Sequence, residues 1–518
     1  MSLASRYEQL VVDRNVYLDR ARSAAKLTIP TLFPPDGSSS GNNFPTPWQS
    51  MGARCVNNLA AKLLLALFPP NAPFFKLQLD DYAIEKMTQQ QGMRAEVEKA
   101  LNKIERAVTT EIETTTSRPS LFELLKQLIV GGNALLVVEP KSNKLRVHKL
   151  TQYVCKRDPA GHELEIIVKE CISALELPEP LRTQLGKAAS AGDEKAKDDI
   201  DLYTGYKLVQ HGGQPQWRVW QEIDGKVLPG SGHFPRDKSP ARAIRWTALD
   251  GEDYGRGMCE EYLGDLKSLE GLQKALVQGA AAAAKVLFLV RPNSTTSKAA
   301  LTKSESGEVH SGHADDVSVV QMEKFGDFRT ALETRNDLIQ SLSFAFMLNS
   351  AIQRNGERVT AEEIRYMAQE LEQGLGGVYS TLSQDLQLPL VTILMSNMER
   401  QQRLPSLPKG TVKPAITTGI EAIGRGQDID RLTGFAQTIS AVLGPETTAR
   451  YLNVPDFIKR VATAKQLDQA GLVKDEATVQ QEAQQAQMAA LAQRAAPNVV
   501  NKMGDAMMAQ QQGATPNG

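Results

Sequence analysis

The sequence predicts an α+β fold, mainly α, and three observations predict it. Between residues 258 and 391, apolar side chains recur at steps of three and four, the period of helices buried along one face. From the run ALLVVEP to about residue 250 the period changes to two, the alternation of strands. A hydrophobic fraction of 41% with only 6% aromatics, together with Gln/Ala-rich stretches, tips the balance towards helix.

The clearest helix start is at residue 360. Thr360-Ala361-Glu362-Glu363 reads as a capping box, in which the threonine hydroxyl and Glu363 satisfy each other's exposed backbone donors. Behind it Ile364, Ala368, Leu371, Leu375, Val378, Leu382 and Leu386 form one apolar stripe on a long helix. Before it, Asn349 to Val359 is a short polar loop carrying Gln353, Arg354, Asn355, Glu357 and Arg358, with Gly356 as its turn point. The apolar run Phe344, Phe346, Met347 and Leu348 is expected to anchor the start of that loop.

Two more helical patterns precede it. In Met258 to Ala284, apolar residues recur at 258, 262, 266, 269, 272 and 276, with Glu260, Glu261 and Asp265 early, where the helix dipole favours acids. At ~1.5 Å per residue this helix would span roughly 40 Å. The second pattern starts at a candidate cap, Asp327, and runs through Phe328, Leu332, Ile339, Leu342 and Phe346. Between them VLFLV and VSVV have strand character.

Towards the N-terminus, residues 5–27 read as an amphipathic helix ended by Pro30, and 33–47 as a loop rich in Gly, Ser and Pro. Gly37-Ser38-Ser39-Ser40-Gly41 matches the GxSxG elbow in letters only. That elbow needs a strand before its serine and a helix after it, and both flanks here are loop. It reads as a turn. Trp48 to Phe68 is a helix stopped by Pro69-Pro70, and 93–114 a charged helix expected to face solvent. Phe122 to Val130 leads through Gly131-Gly132 into a buried strand. KLRVHKL, YVCKR, LEIIVKE, YKLVQ, WRVWQE and ARAIRWTAL then read as strands of a mixed sheet, interrupted by a charged, exposed excursion over residues 177–201. Downstream, Pro389 should interrupt the long helix, and Gly374, Gly376 and Gly377 invite a bend. Residues 414–495 read as several helices, and from Pro497 the polar composition predicts a flexible tail.

Composition narrows the function. With 59 basic and 60 acidic residues the net charge is −1, so no bulk field recruits nucleic acid or an anionic membrane. Cys55, Cys155, Cys171 and Cys259 are scattered with no CxxC pair, which suits reduced thiols. No basic-then-apolar leader is present at MSLASRYEQL, and no run reaches the ~18 apolar residues of a membrane helix. There is no GxxxxGK[ST] phosphate cradle. His310 and His313, near Asp315 and Asp316, lie on a loop without a rigid face to present them, and read as solvated. No catalytic residue, metal or cofactor is expected.

Several long runs resemble the portal proteins, or head-to-tail connectors, of short-tailed phages. They are LNSAIQRNGERVTAEEIRY, LGGVYSTLSQDLQLPLV, VNNLAAKLLLALFPPNAPFF and YGRGMCEEYLGDLKSLE, and the likeness extends from about residue 5 to about 475. The resemblance implies a ring of twelve copies at one capsid vertex, forming the channel for genome packaging and ejection and the attachment site for the tail. Its parts would be a wing (1–255), stem helices (256–284 and 327–346) flanking a clip (285–326), and a channel loop (347–360). A long kinked helix returning to the wing (361–412), a helical crown (413–496) and a flexible tail (497–518) would follow. Implied partners are double-stranded DNA, a terminase motor ATPase, tail adaptors, major capsid and scaffolding proteins, and internal core proteins at the crown; no membrane is implied. The implied location is the virion, after assembly in the host cytoplasm. Asn349, Gln353, Arg354, Asn355 and Arg358 would lie closest to passing DNA, with Thr360 and Glu363 supporting the loop.

Two other classes compete. A soluble helical virion adaptor or internal virion protein would be a monomer or small oligomer without a bore. An enzyme acting on nucleic acid would bind divalent metal or cleave DNA.

Overall fold

The computed structural model describes residues 2–38, 42–70, 74–79, 93–115, 117–173, 199–283, 287–292, 296–309, 311–320, 325–348, 361–405, 412–416 and 434–442, with Leu177, Ser294, Gly444 and Phe457. The fold is α+β, mainly α. Contacts divide the chain into Met1–Ile420 and Glu421–Gly518; of the second unit, residues 434–442 are described, as helix.

Helix α1 (Leu3–Leu27) starts at Ser2, whose hydroxyl accepts from the Ser5 amide at 3.3 Å, and ends at Thr28, ahead of Pro30. Helix α2 (Met51–Leu67) places Val56, Leu59, Ala60, Leu63 and Leu67 in the main core. Strand β1 (Phe75–Leu79) precedes α3 (Met93–Thr114), and α4 (Ser117–Gly131) turns through Gly132 into β2 (Asn133–Val138). Gly132 sits at φ +73°, and a Cβ there would come within 2.3 Å of the Arg256 backbone. The glycine is needed twice over, for its left-handed backbone and for that close approach.

Strands β3 (Leu145–His148), β4 (Tyr153–Arg157), β5 (Glu163–Ser173), β6 (Asp199–His211), β7 (Gln214–Ile223), β8 (Lys226–Val227), β9 (Gly232–Pro235) and β10 (Ala241–Arg245) follow. They do not form one mixed sheet. β10-β2-β3 is a small sheet buried in the core, β4 to β9 form a second of six strands, and every described pairing is antiparallel. Short turns join most consecutive strands, and such hairpins can only pair antiparallel. The first turns of α1 pack Leu3, Tyr7 and Leu10 against Val154, Ile167 and Tyr203 of the larger sheet.

The helix expected from Met258 breaks at Tyr262, giving α5 (Met258–Glu261) and α6 (Leu263–Ala283). Strand β11 (Leu287–Val290), the short helix α7 (Lys298–Lys303) and β12 (Val317–Val320) follow, with β11 and β12 paired. Helix α8 (Phe325–Ala345) begins two residues before Asp327, which lies inside its first turn. The Tyr262 and Phe346 rings meet tilted, their centroids 5.4 Å apart, and Gly279 faces the ring of Phe328, so α6 and α8 run antiparallel.

Helix α9 (Ala361–Leu375) stops at Gly376, φ +59°, and α10 (Val378–Leu382) passes into a π-turn (Ser383–Gln387) before α11 (Leu388–Arg400). Pro389 explains the π-turn: it lacks a donor and its ring would strike the carbonyl four residues back, so the helix widens there. Strand β13 (Val412–Ile416) pairs with β1, where continuing helix was expected beyond residue 414. Pro414 is tolerated because this is a two-stranded ribbon. Helix α3 is also more buried than expected: Leu101, Ile104, Val108 and Ile112 face the core, as do Glu105 and Glu111. Glu105 accepts from the Leu77 amide at 2.7 Å, and Glu111 takes Asn143 at 2.8 Å and the Arg403 guanidinium at 2.7 Å.

Candidate functional site

The residues read as a polar loop follow the end of α8 in the chain, and the described residues show how that end is held. The helix finishes in a Schellman motif. Leu348 N–H donates to Ser343 O at 2.7 Å, Met347 N–H donates to Phe344 O at 3.1 Å, and Met347 adopts φ +53°. A methionine in that left-handed conformation costs about 1 kcal/mol against glycine, so something must offset it.

Helix α2 supplies the offset. The Lys62 ammonium donates to Met347 O, and the Asn58 amide donates to Met347 O at 3.2 Å and more weakly to Phe346 O at 3.4 Å. A cation at a helix C-terminus also meets the negative end of the dipole. Lys62 is only 6% exposed. Burial lowers its pKa from the ordinary lysine value, and Glu370 partly opposes that shift. Phe346, Met347 and Leu348 are buried, and Met347 reaches over Gly374 of α9, where a Cβ would fall 2.1 Å from its methyl. Phe344 does not anchor anything: it is 84% exposed. The C-terminal capping turn directs residue 344 away from the core while 346 to 348 turn inward.

The last turn of α2, just past Lys62, is held by α10 and the π-turn. Tyr379 donates its hydroxyl to Ala66 O at 3.2 Å, and the Gln387 amide donates to Leu67 O. Glu270 of α6 accepts the backbone amides of Trp48 at 2.9 Å and Gln49 at 3.2 Å, just ahead of α2. One helix therefore fixes where α8 stops, where α6 stands and how α9 to α11 lie.

Asn349, Gln353, Arg354, Asn355, Arg358 and Thr360 lie outside the described residues, as does the side chain of Glu363, whose backbone falls in the first turn of α9. His310 is also outside them, while Asp316 accepts from the Thr296 hydroxyl at 3.0 Å. Among the described residues no group of three metal-ligating side chains occurs. Burial pushes the Cys55 and Cys155 thiols up to about 12, which keeps them protonated at neutral pH. Asn58 and Lys62 are the supporting residues that sequence reasoning missed. The lysine inside LAAKLLLALF was their one visible signal.

A family described as bacteriophage head to tail connecting protein matches residues 1–473. The chain belongs to this family. It is 42% identical over 487 residues to the portal protein of Escherichia phage T7, covering 93% of this chain and 90% of that one. It is 32% identical over 484 residues to the portal protein of Enterobacteria phage SP6, covering 93% and 92%. Among solved structures, the virion of a native gene transfer agent particle matches at TM-score 0.35 and 11% identity, over 78% of this chain and 87% of that one. The neck of the native particle matches at TM-score 0.34 and 11% identity, over 74% and 85%. The connector is a structural virion protein of the head–tail junction at the capsid vertex.

Proposed function

We propose that this connector is the portal of its particle: identical copies close into a ring, twelve by family resemblance, around a channel through which DNA is packaged and later ejected. The observation that carries this reading is the buried anchorage of the end of α8, beside an antiparallel helix pair that leaves most of its own surface uncovered. In α6 and α8 the buried side chains gather at the anchored end, at Leu266, Leu269, Leu342 and Ser343, while Val277 and Leu332 remain exposed. Neighbouring copies would cover such faces, and a head-to-tail contact that closes by rotation makes a ring.

In this reading residues 1–255 with part of 376–412 form the wing, α6 and α8 the stem, 285–326 the clip that meets tail or motor proteins, and 413–496 the crown. The loop 347–360 faces the bore, with Gln353, Arg354, Asn355 and Arg358 nearest the DNA. Charges on α6 and α8 nearly balance: Lys267 and Lys274 stand against Asp265 and Glu270, and Arg329 and Arg335 against Asp327, Glu333 and Asp337. A conduit must release what it holds, and each neutralised phosphate adds affinity. The chain supplies no catalysis of its own; a separate terminase ATPase drives the DNA.

The test is packaging in vitro with Arg354→Glu and Arg358→Glu combined. Rings should form normally, because neither residue belongs to an apolar stripe, while the amount of DNA packaged or retained should fall. Normal packaging and retention by the doubly reversed rings would remove the loop from the mechanism.

A further inference from the structure

A second polar site, lined by none of the anchorage residues, lies where the π-turn meets β10 and the β4–β5 hairpin. It is a cavity of about 300 Å³ whose lining includes Arg157, Arg236, Arg242 and Arg245 against two carboxylates, Glu163 and Asp385. Glu163 is already committed. It accepts the Ala243 amide at 2.6 Å and the Arg242 guanidinium at 3.3 Å, and stands 3.9 Å from Arg157.

Beyond Glu163, these arginines have no carboxylate within ion-pair distance among the described residues. Arg157 is spent on carbonyls, donating to Asp253 O at 3.0 Å, Gly161 O at 2.9 Å and Ala243 O. Arg245 donates to Glu252 O at 2.9 Å, with its other terminal nitrogen against Gly161, and no carboxylate lies within ion-pair distance of it among the described residues. The Arg242 Nε is buried without a hydrogen-bond partner. Asp385, turned out by the π-turn, also makes no ion pair among the described residues. Desolvation raises its pKa, and Arg157, Arg245 and Arg242 pull it back only in part. Guanidinium groups gathered this closely, with donors left over, are the arrangement that proteins use to hold a tetrahedral oxyanion.

We propose that this cavity binds a phosphate-class oxyanion, held by Arg242 and Arg245 over the scaffold of Arg157 and bridging the π-turn to the β-sheets. The excess of arginine over carboxylate supplies the charge, and the part-exposed guanidinium of Arg242 and the terminal nitrogen of Arg245 beside Gly161 supply donors. Asp385 weakens the site at neutral pH by repulsion. The anion would tie the kinked helical segment α9–α11 to β10, which are otherwise joined here without a direct ion pair.

The experiment titrates inorganic phosphate into the full-length assembled protein at constant ionic strength, by calorimetry, with chloride as the matched control. Saturable binding with a dissociation constant at or below about 1 mM is expected. Arg245→Gln and Arg242→Gln should each weaken it about tenfold, the scale of one lost charge-assisted hydrogen bond. Asp385→Asn should tighten it severalfold, an effect that misfolding cannot mimic. Absence of saturable binding, equal binding of chloride, or weaker binding by Asp385→Asn would overturn the proposal. A short DNA duplex provides a second arm: competition with phosphate assigns the anion to a nucleic-acid backbone, and its absence to a free ion.

Discussion

Lys62 is the residue on which the loop anchorage turns. Its ammonium is buried at a cost, yet it faces the carbonyl of Met347, a residue held in a left-handed turn that methionine disfavours. Replacing it by methionine keeps the apolar stem but removes the charged one of the two donors to Met347 O, leaving Asn58. Lys62→Met is expected to cost about 1–3 kcal/mol, read as a lower unfolding midpoint, and to speed tryptic cleavage at Arg354 and Arg358. Glu111 makes a separate prediction in pH. Its hydrogen bond from Arg403, and a weaker one from Asn143, hold its carboxyl below the ordinary glutamate value of 4.5 against the opposing effect of burial. A depressed folded pKa stabilises the fold above the unfolded value, and that contribution is lost as pH falls from about 4.5 through the folded pKa. Glu111→Gln should therefore flatten the stability curve below pH about 4.5 while lowering stability at neutral pH.

At the scale of elements, periodic segments were legible in the sequence, and segments decided by tertiary contact were not. The start of β2 after Gly131-Gly132, the end of α1 before Pro30 and the span of α3 could be read because breakers and spacing act locally. The interruption at Tyr262 could not, because the apolar period runs straight through it. The β1–β13 pair was invisible for a different reason: its partners stand more than three hundred residues apart, and VKPAI has neither alternation nor length. Burial of α3 was misjudged because Glu105 and Glu111 look like solvated charges until Leu77, Asn143 and Arg403 are placed beside them. Gly132 gives the sharpest test of an element junction. Gly132→Ala combines a strained backbone with a clash against Arg256 and Gly257, neither able to move cheaply. It should cost about 2–4 kcal/mol, whereas Gly271→Ala, with open space around its Cβ position, should change stability by less than about 1 kcal/mol. Paired thermal melts of the two variants check this.

At the scale of the whole molecule, residues 349–359, read as a polar loop, lie outside the described residues, while the mooring of the turn before them is described and had no local signal. Thr360 and Glu363 follow from a four-residue pattern, while Asn58 and Lys62 lie almost three hundred residues away from the carbonyls that they hold. The sequence run 344–348 also misled in part, because a Schellman turn sends Phe344 outward and its neighbours inward. Exposed apolar side chains on α6 and α8, together with Phe344, leave a chain whose uncovered faces call for further copies of itself. Those copies, in the proposed arrangement, close into a ring with an open centre. Native mass measurement of the purified connector, paired with end-on electron images of the same sample, tests it most directly. One closed high-mass assembly, or neighbouring ring sizes, each with a central hole, is expected. A population of monomers alone at micromolar concentration would contradict it.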